Sequence, residues 1–302
     1  MTGAGLRVNF SGSICALATP FGADDALDLD AFAHLIEHQI RGGTQGLVVA
    51  GSTGEAHALD TDEFDRLLAF AVERVAGRVP VIAGTGTANT KKTITATRRA
   101  HALGANAALV VTPYYVRPTQ DGLRRHYLDV AEQGDLPIIL YNVPGRTGCD
   151  MQPATVAVLA SHPRIVGIKE AVGDVERVKA LLALRHDGFR VISGDDPTAL
   201  RSLLLGADGV ISVANNVVPA QFRQLCDAAR AGRADEAGAI DLRLQPLFDA
   251  LGVESNPIPV KFCLSTAGIG TPRVRLPLTE LSETYRGRLR ELVLNLQDAA
   301  VA

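Results

Sequence analysis

Eight short apolar runs, each followed by a stretch with helical spacing, constrain the fold of this chain more than any other feature. The runs are Ser13 to Thr19, Gly46 to Ala50, Pro80 to Ala83, Ala107 to Thr112, Pro137 to Asn142, Ile165 to Lys169, Arg190 to Ser193 and Gly209 to Val213. Rich in Val, Ile and Leu and almost unbroken, they match parallel strands buried on both faces. Between them, Leu29, Phe32, Leu35, Ile36 and Ile40 form one helical stripe, and Phe64, Leu67, Leu68, Ala71 and Val75 form another. Thr61-Asp62-Glu63 is an acidic helix opening behind a capping residue, and Gln152-Pro153 places proline in a first turn. Gly42-Gly43, Gly104 and Gly206 stand where helices should stop. Eight such alternations predict a parallel sheet closed into a (β/α)8 TIM barrel, which takes about 250 residues. The barrel is expected over residues 1–232, with a C-terminal helical region over 233–302. Helices are expected there at Ala234 to Leu251, Pro257 to Ala267 and Leu278 to Ala299.

Bulk properties narrow the classes of function. The 302 residues are 47% hydrophobic and 21% charged, enough to bury a large core. A net charge of −3 without a basic cluster disfavours nucleic-acid binding. Met1 to Phe10 lacks a signal-peptide core, and no apolar run reaches the ~18 residues of a membrane span. A soluble cytoplasmic protein is expected. The four cysteines, Cys15, Cys149, Cys226 and Cys263, are far apart and suggest reduced thiols, not zinc or a disulfide framework. His34 and His38 are four apart on a predicted helix but lack a third ligand, so a surface pair is the simpler reading. Gly84-Thr85-Gly86 lacks the later glycine of a dinucleotide fingerprint.

In such barrels the chemistry sits where strands end. The most informative residue there is Lys169, closing the apolar run Ile165-Val166-Gly167-Ile168. Lysine is seldom buried without a partner, because an ammonium is costly to desolvate. An amine placed at the edge of a core is expected to lose its proton more easily and to attack carbonyl carbons. In free solution only roughly one lysine in a thousand is neutral at physiological pH. The alternative is a lysine that snorkels to the surface. Other strand ends bring Gly51-Ser52-Thr53-Gly54-Glu55, Pro113-Tyr114-Tyr115, Tyr141 to Thr147 and Gly194-Asp195-Asp196 to the same mouth. The glycine-flanked turn can offer N–H groups and hydroxyls to a carboxylate. Tyr141 can move protons, and Arg146 can grip a carboxylate in two contacts. Each has a bland alternative: rim packing for Tyr114 and Tyr115, a surface ion pair for Arg146, and a plain turn at Gly51 to Gly54. Asp195-Asp196 hints at a cation site but reads more simply as a helix cap.

Taken in order, several segments resemble the dihydrodipicolinate synthase family, within the N-acetylneuraminate lyase superfamily of class I aldolases. They are Gly51 to Glu55, Thr112 to Tyr115, Tyr141 to Thr147, Gly167 to Ala171, Ser193 to Asp196, Gly209 to Ser212 and Asn256 to Lys261, spanning almost the whole chain. The resemblance implies that Lys169 forms a Schiff base with pyruvate and that Tyr141 shuttles protons, with Ser52 and Tyr115 completing a hydroxyl relay. The pyruvate carboxylate would lie against Ser52 and Thr53, with the Ile211 backbone nearby. Arg146 would hold the carboxylate of aspartate semialdehyde, giving 4-hydroxy-tetrahydrodipicolinate for lysine and diaminopimelate biosynthesis. It implies no metal or organic cofactor, and a homodimer or homotetramer in which Tyr115 reaches a neighbour's site.

Two departures stand out. Ser52 replaces the family's usual threonine and lacks its stiffening methyl group. Where lysine-inhibited relatives hold the inhibitor, this chain aligns Ala56, His57, Thr61, Phe64, Ala88 and Lys92, and retains only Tyr114. Lys92 would repel the inhibitor's ammonium, so weak or absent lysine feedback is expected. The competing readings are a sugar-acid aldolase on the same scaffold and a catalytically silent keto-acid-binding barrel. Arg146 favours the synthase, because it suits a short second substrate that carries its own carboxylate.

Overall fold

The computed structural model describes residues 10–301. The stretch searched for a signal core, Met1 to Phe10, lies outside the described residues except for Phe10. Eight parallel strands close on one another in sequence order: β1 (Gly12–Ala16), β2 (Gly46–Val49), β3 (Val81–Gly84), β4 (Ala107–Val111), β5 (Ile138–Asn142), β6 (Ile165–Glu170), β7 (Arg190–Ser193) and β8 (Gly209–Ser212). The chain therefore forms a (β/α)8 barrel with C-terminal helices.

Alternation along the strands sorts side chains into two layers. Ile14, Val48, Ile82, Leu109, Ile139, Ile192 and Ile211 fill the barrel interior. Cys15, Leu47, Val49, Val81, Leu140, Ile168 and Val191 face the helices. A register shift between β5 and β6 keeps the two strands in phase at their ends, where Leu140 pairs with Ile168 and Tyr141 with Lys169. Since Leu140 and Ile168 face the helices, Tyr141 and Lys169 turn inward.

The helices obey local rules. Thr61–Val75 opens on Asp60, whose carboxylate accepts from the Glu63 N–H at 2.8 Å while Glu63 accepts from the Asp60 N–H at 3.2 Å. This reciprocal box satisfies two otherwise orphaned donors. Leu67, Leu68, Ala71 and Val75 then cover the barrel. After β8, helices run over Pro219–Arg230, Ala234–Leu251, Ile258–Thr266 and Glu283–Val301. The last begins later than the expected Leu278. Leu281 is buried in the segment before it, and Pro277 and the anchored Arg275 hold that segment in a non-helical path. The expected boundary at Gly232 falls in a turn, yet one apolar cluster crosses it, joining Leu203, Phe222 and Leu225 to Leu247, Phe248 and Val260. No helix among the described residues is long and apolar enough to cross a membrane. The four cysteines are buried and free.

Candidate active site

Lys169 is 4% exposed, with its Nζ 4.4 Å from the centroid of the Tyr141 ring. It makes no ion pair or hydrogen bond with any described residue. The neighbouring carboxylate is committed elsewhere: Glu170 points out of the barrel, pairs with Arg177 at 2.8 Å and accepts from Asn142 Nδ2 at 3.1 Å. Arg177 also reaches Asp150 at 3.0 Å. Burial pushes the Glu170 carboxyl upward while Arg177 pulls it back. Strand alternation thus sends the amine inward and the acid next to it in sequence outward. Glycine at 194 is required for the lysine's path: a Cβ there would stand 2.7 Å from Lys169 Cε and 2.9 Å from Cγ.

Tyr141, 7% exposed, lines a cleft of about 800 Å³ together with Ser52, Arg146, Thr147, Tyr114 and Asn256. The turn after β2 is tied by Glu55 N–H to Ser52 O and Ala56 N–H to Gly51 O, both 3.2 Å. The N–H groups of Ser52 and Thr53 donate to no backbone carbonyl among the described residues, which fits a carboxylate cradle. Thr53 is buried, and its Oγ1 accepts from Asn256 Nδ2 at 3.0 Å. Arg146 stands on the short helix Pro144–Thr147, where its Nη2 donates to the Asn256 carbonyl at 3.3 Å. It has no ion pair with a described carboxylate, so its fork is open to a substrate. Ile211 is fully buried in the barrel interior on the strand paired with Ile14.

Not every expected residue joins this group. Tyr115 is 91% exposed, with φ at +73°, and no hydrogen bond links it to Ser52 or Tyr141 within the chain. Asp195 and Asp196 do not cap a helix with their side chains, contrary to expectation. Asp195 accepts from the Thr198 hydroxyl at 2.6 Å. Asp196 is buried and accepts the Val213 and Ala214 N–H groups at 3.0 and 2.8 Å, tying the end of β7 to the end of β8. Desolvation raises its pKa, and the hydrogen bonds from Ala214, Ser212 and Val213 partly oppose that. No group of three or more His, Cys, Asp or Glu among the described residues is arranged to hold a metal ion.

Comparison with known proteins agrees with this geometry. The profile of the Dihydrodipicolinate synthetase family matches residues 9–296. The chain belongs to the dihydrodipicolinate synthetase family. It is 61% identical over 279 residues to a 4-hydroxy-tetrahydrodipicolinate synthase of Xanthomonas axonopodis pv. citri, covering 92% of each chain. A chloride-inhibited dihydrodipicolinate synthase from Acinetobacter baumannii, solved in complex with pyruvate, superposes with a TM-score of 0.93 at 44% identity, covering 95% of this chain and 99% of that one. A monomeric dihydrodipicolinate synthase variant superposes with a TM-score of 0.91 at 41% identity, covering 96% of each chain.

Within this family frame, the structure adds residues that sequence reasoning did not assign. Lys261 is 2% exposed and donates to Glu55 Oε1 at 2.7 Å. Glu55 itself is fully buried, with φ at +51°, and also accepts the Arg275 N–H at 2.9 Å. Phe21 is flanked by Lys261 Nζ at 4.2 Å and the Arg275 guanidinium at 4.1 Å from its ring centroid. The C-terminal region therefore grips the same turn that carries Ser52 and Thr53. The available signal was a lysine inside the apolar helix Ile258–Thr266.

Proposed function

We propose that the chain condenses pyruvate with aspartate semialdehyde to 4-hydroxy-tetrahydrodipicolinate, on the route to diaminopimelate and lysine, through an imine on Lys169. The supporting observation is the Lys169 amine itself, buried, without an ion-pair partner among the described residues, and packed on the face of Tyr141, which lines the cleft. The neutral amine adds to the keto carbon. Tyr141 returns a proton to the resulting oxygen, and water leaves as the imine forms. Removal of a methyl proton gives an enamine, whose terminal carbon attacks the aldehyde carbon while the aldehyde oxygen takes up a proton. The amino group derived from the semialdehyde then adds to the imine carbon, expels Lys169 and closes the six-membered ring. One water is released in all, and the new hydroxyl remains on the product.

Ser52 and Thr53 cradle the pyruvate carboxylate, with the Ile211 backbone beside it, and Arg146 binds the carboxylate of the semialdehyde. The imine is the electron sink, so the cycle needs neither metal nor organic cofactor. Tyr115 and Val116, exposed by 91% and 55%, support a homodimer or homotetramer in which Tyr115 completes the Ser52–Tyr141 relay of a neighbouring copy. A monomeric variant with undiminished turnover would overturn that assignment. Lysine feedback is weak or absent, because Lys92 brings a positive charge to the cleft wall beside Ala56, His57 and Thr61. Halving of the rate by millimolar lysine would refute this. Free buried thiols suit a reducing compartment such as the cytoplasm.

The test is pyruvate with borohydride, followed by mass measurement. A stable adduct on Lys169 is expected, then turnover with pyruvate plus aspartate semialdehyde that exceeds turnover of a sugar-acid control. An unmodified Lys169 sinks the mechanism.

A further inference from the structure

Asn256 belongs to the segment between the helices Ala234–Leu251 and Ile258–Thr266, outside the barrel strands, yet it touches both proposed substrate subsites. Its side-chain Nδ2 donates to Thr53 Oγ1 at 3.0 Å, and its backbone carbonyl accepts from Arg146 Nη2 at 3.3 Å. Its Oδ1 is buried and has no hydrogen-bond partner among the described residues. The amide is therefore oriented by one side-chain bond, the one to Thr53.

We propose that Asn256 is a positioning residue for both substrates: its amide turns the Thr53 hydroxyl proton toward the keto acid, and its carbonyl steadies the Arg146 fork for the second carboxylate. The inference rests on the subsites assigned under the proposed function. A threonine hydroxyl carries one hydrogen and two lone pairs. An N–H engaged on one lone pair leaves that hydrogen for another acceptor and polarises it as a donor. Thr53 is only 3% exposed, so a protein group rather than bulk water sets this rotor. Asparagine can supply the N–H, whereas an aspartate carboxylate only accepts and would draw the Thr53 proton back toward itself.

The distinguishing variants are Asn256→Ala and the nearly isosteric Asn256→Asp, each measured as the full chain in its native assembly. For Asn256→Ala, the KM for pyruvate is expected to rise about three- to tenfold, the value of one hydrogen bond. Half-saturation for borohydride trapping on Lys169 should shift by the same factor. The KM for the semialdehyde should rise about two- to threefold as the carbonyl beside Arg146 loosens. Asn256→Asp should raise the pyruvate KM more than the alanine variant does, despite its better fit. Its defect relative to the unaltered chain should shrink as pH falls and the carboxyl regains a hydrogen. A packing role predicts the reverse order and no such pH profile, so an aspartate variant that outperforms alanine overturns the inference. Pyruvate KM values within twofold of the unaltered chain in both variants overturn it too. If the alanine variant does not fold, the aspartate variant and its pH profile decide. An unaltered chain that neither traps pyruvate nor turns over defeats the functional reading and this inference together. An active unaltered chain with indifferent variants defeats this inference alone.

Discussion

Lys169 and Lys261 are both buried, one at a strand end and the other inside a helix, but only one has a counter-ion. Lys261 meets Glu55 at 2.7 Å, and burial lowers its pKa while the carboxylate pulls it back up. Lys169 faces an aromatic ring, and the acid next to it in sequence is spent on Arg177. A paired buried cation is a joint, whereas an unpaired buried amine is available for chemistry. Breaking the first should cost stability, and removing the second should cost catalysis.

The largest effect expected from this contrast is at Lys169. Lys169→Met should lower turnover by at least roughly 10⁴-fold, as loss of a covalent nucleophile does elsewhere. It should leave the urea midpoint unchanged or raised, because an unpaired amine is replaced by an apolar chain of similar shape. A midpoint that falls sharply would make Lys169 a structural residue like Lys261. Lys261→Met should do the opposite. It strands the Glu55 carboxylate in the core at a cost of about 3–5 kcal/mol, read by denaturant titration, while pyruvate still traps on Lys169. Adding Glu55→Gln should recover much of that loss, and failure to recover would deny that the pair is what matters.

Arg146→Ala sharpens the division within the cleft. The KM for the semialdehyde should rise roughly ten- to a hundredfold, the range for a charged hydrogen bond, with borohydride trapping of pyruvate alone unaffected. His126 provides the mildest test, a buried ring whose desolvation outweighs the opposing field of Asp129. Its Nδ1 lies 3.0 Å from the Thr90 hydroxyl, its Nε2 has no partner among the described residues, and burial holds its pKa down to about 4 from 6.5. The unfolded chain protonates first as pH falls. This contribution is therefore present above about pH 6.5, drains away toward about pH 4, and amounts to about 3 kcal/mol at most. His126→Gln should flatten the stability profile over that window, and an unchanged profile would exclude His126 as its source.

Much of this was legible from residues alone. Apolar strands bounded by glycine and proline place the barrel, and a cation closing one of them marks Lys169. Lys261 carried the same signal, a charge within Ile258-Pro259-Val260-Lys261-Phe262-Cys263-Leu264, but its partner lies 206 residues away and no local pattern announces it. Asn256 was harder still, since its contacts are 203 and 110 residues distant, one in the turn after β2 and the other on the short helix after β5. The last helix was expected from Leu278, but Arg275, pinned to Glu55 and Glu63, holds the segment before Glu283 in another path. Tyr115 was assigned to a shared site by family likeness, and within one chain its ring has no place in the relay.

The grip of Lys261 and Asn256 on the loop after β2 has a practical consequence for engineering. Chimeras spliced at Gly232 would mate one enzyme's carboxylate and threonine with another's lysine and asparagine. Their performance should track how well those four side chains match across the seam, more closely than it tracks the parent barrels, so a graft intended to change substrate preference should carry both halves of that lock together.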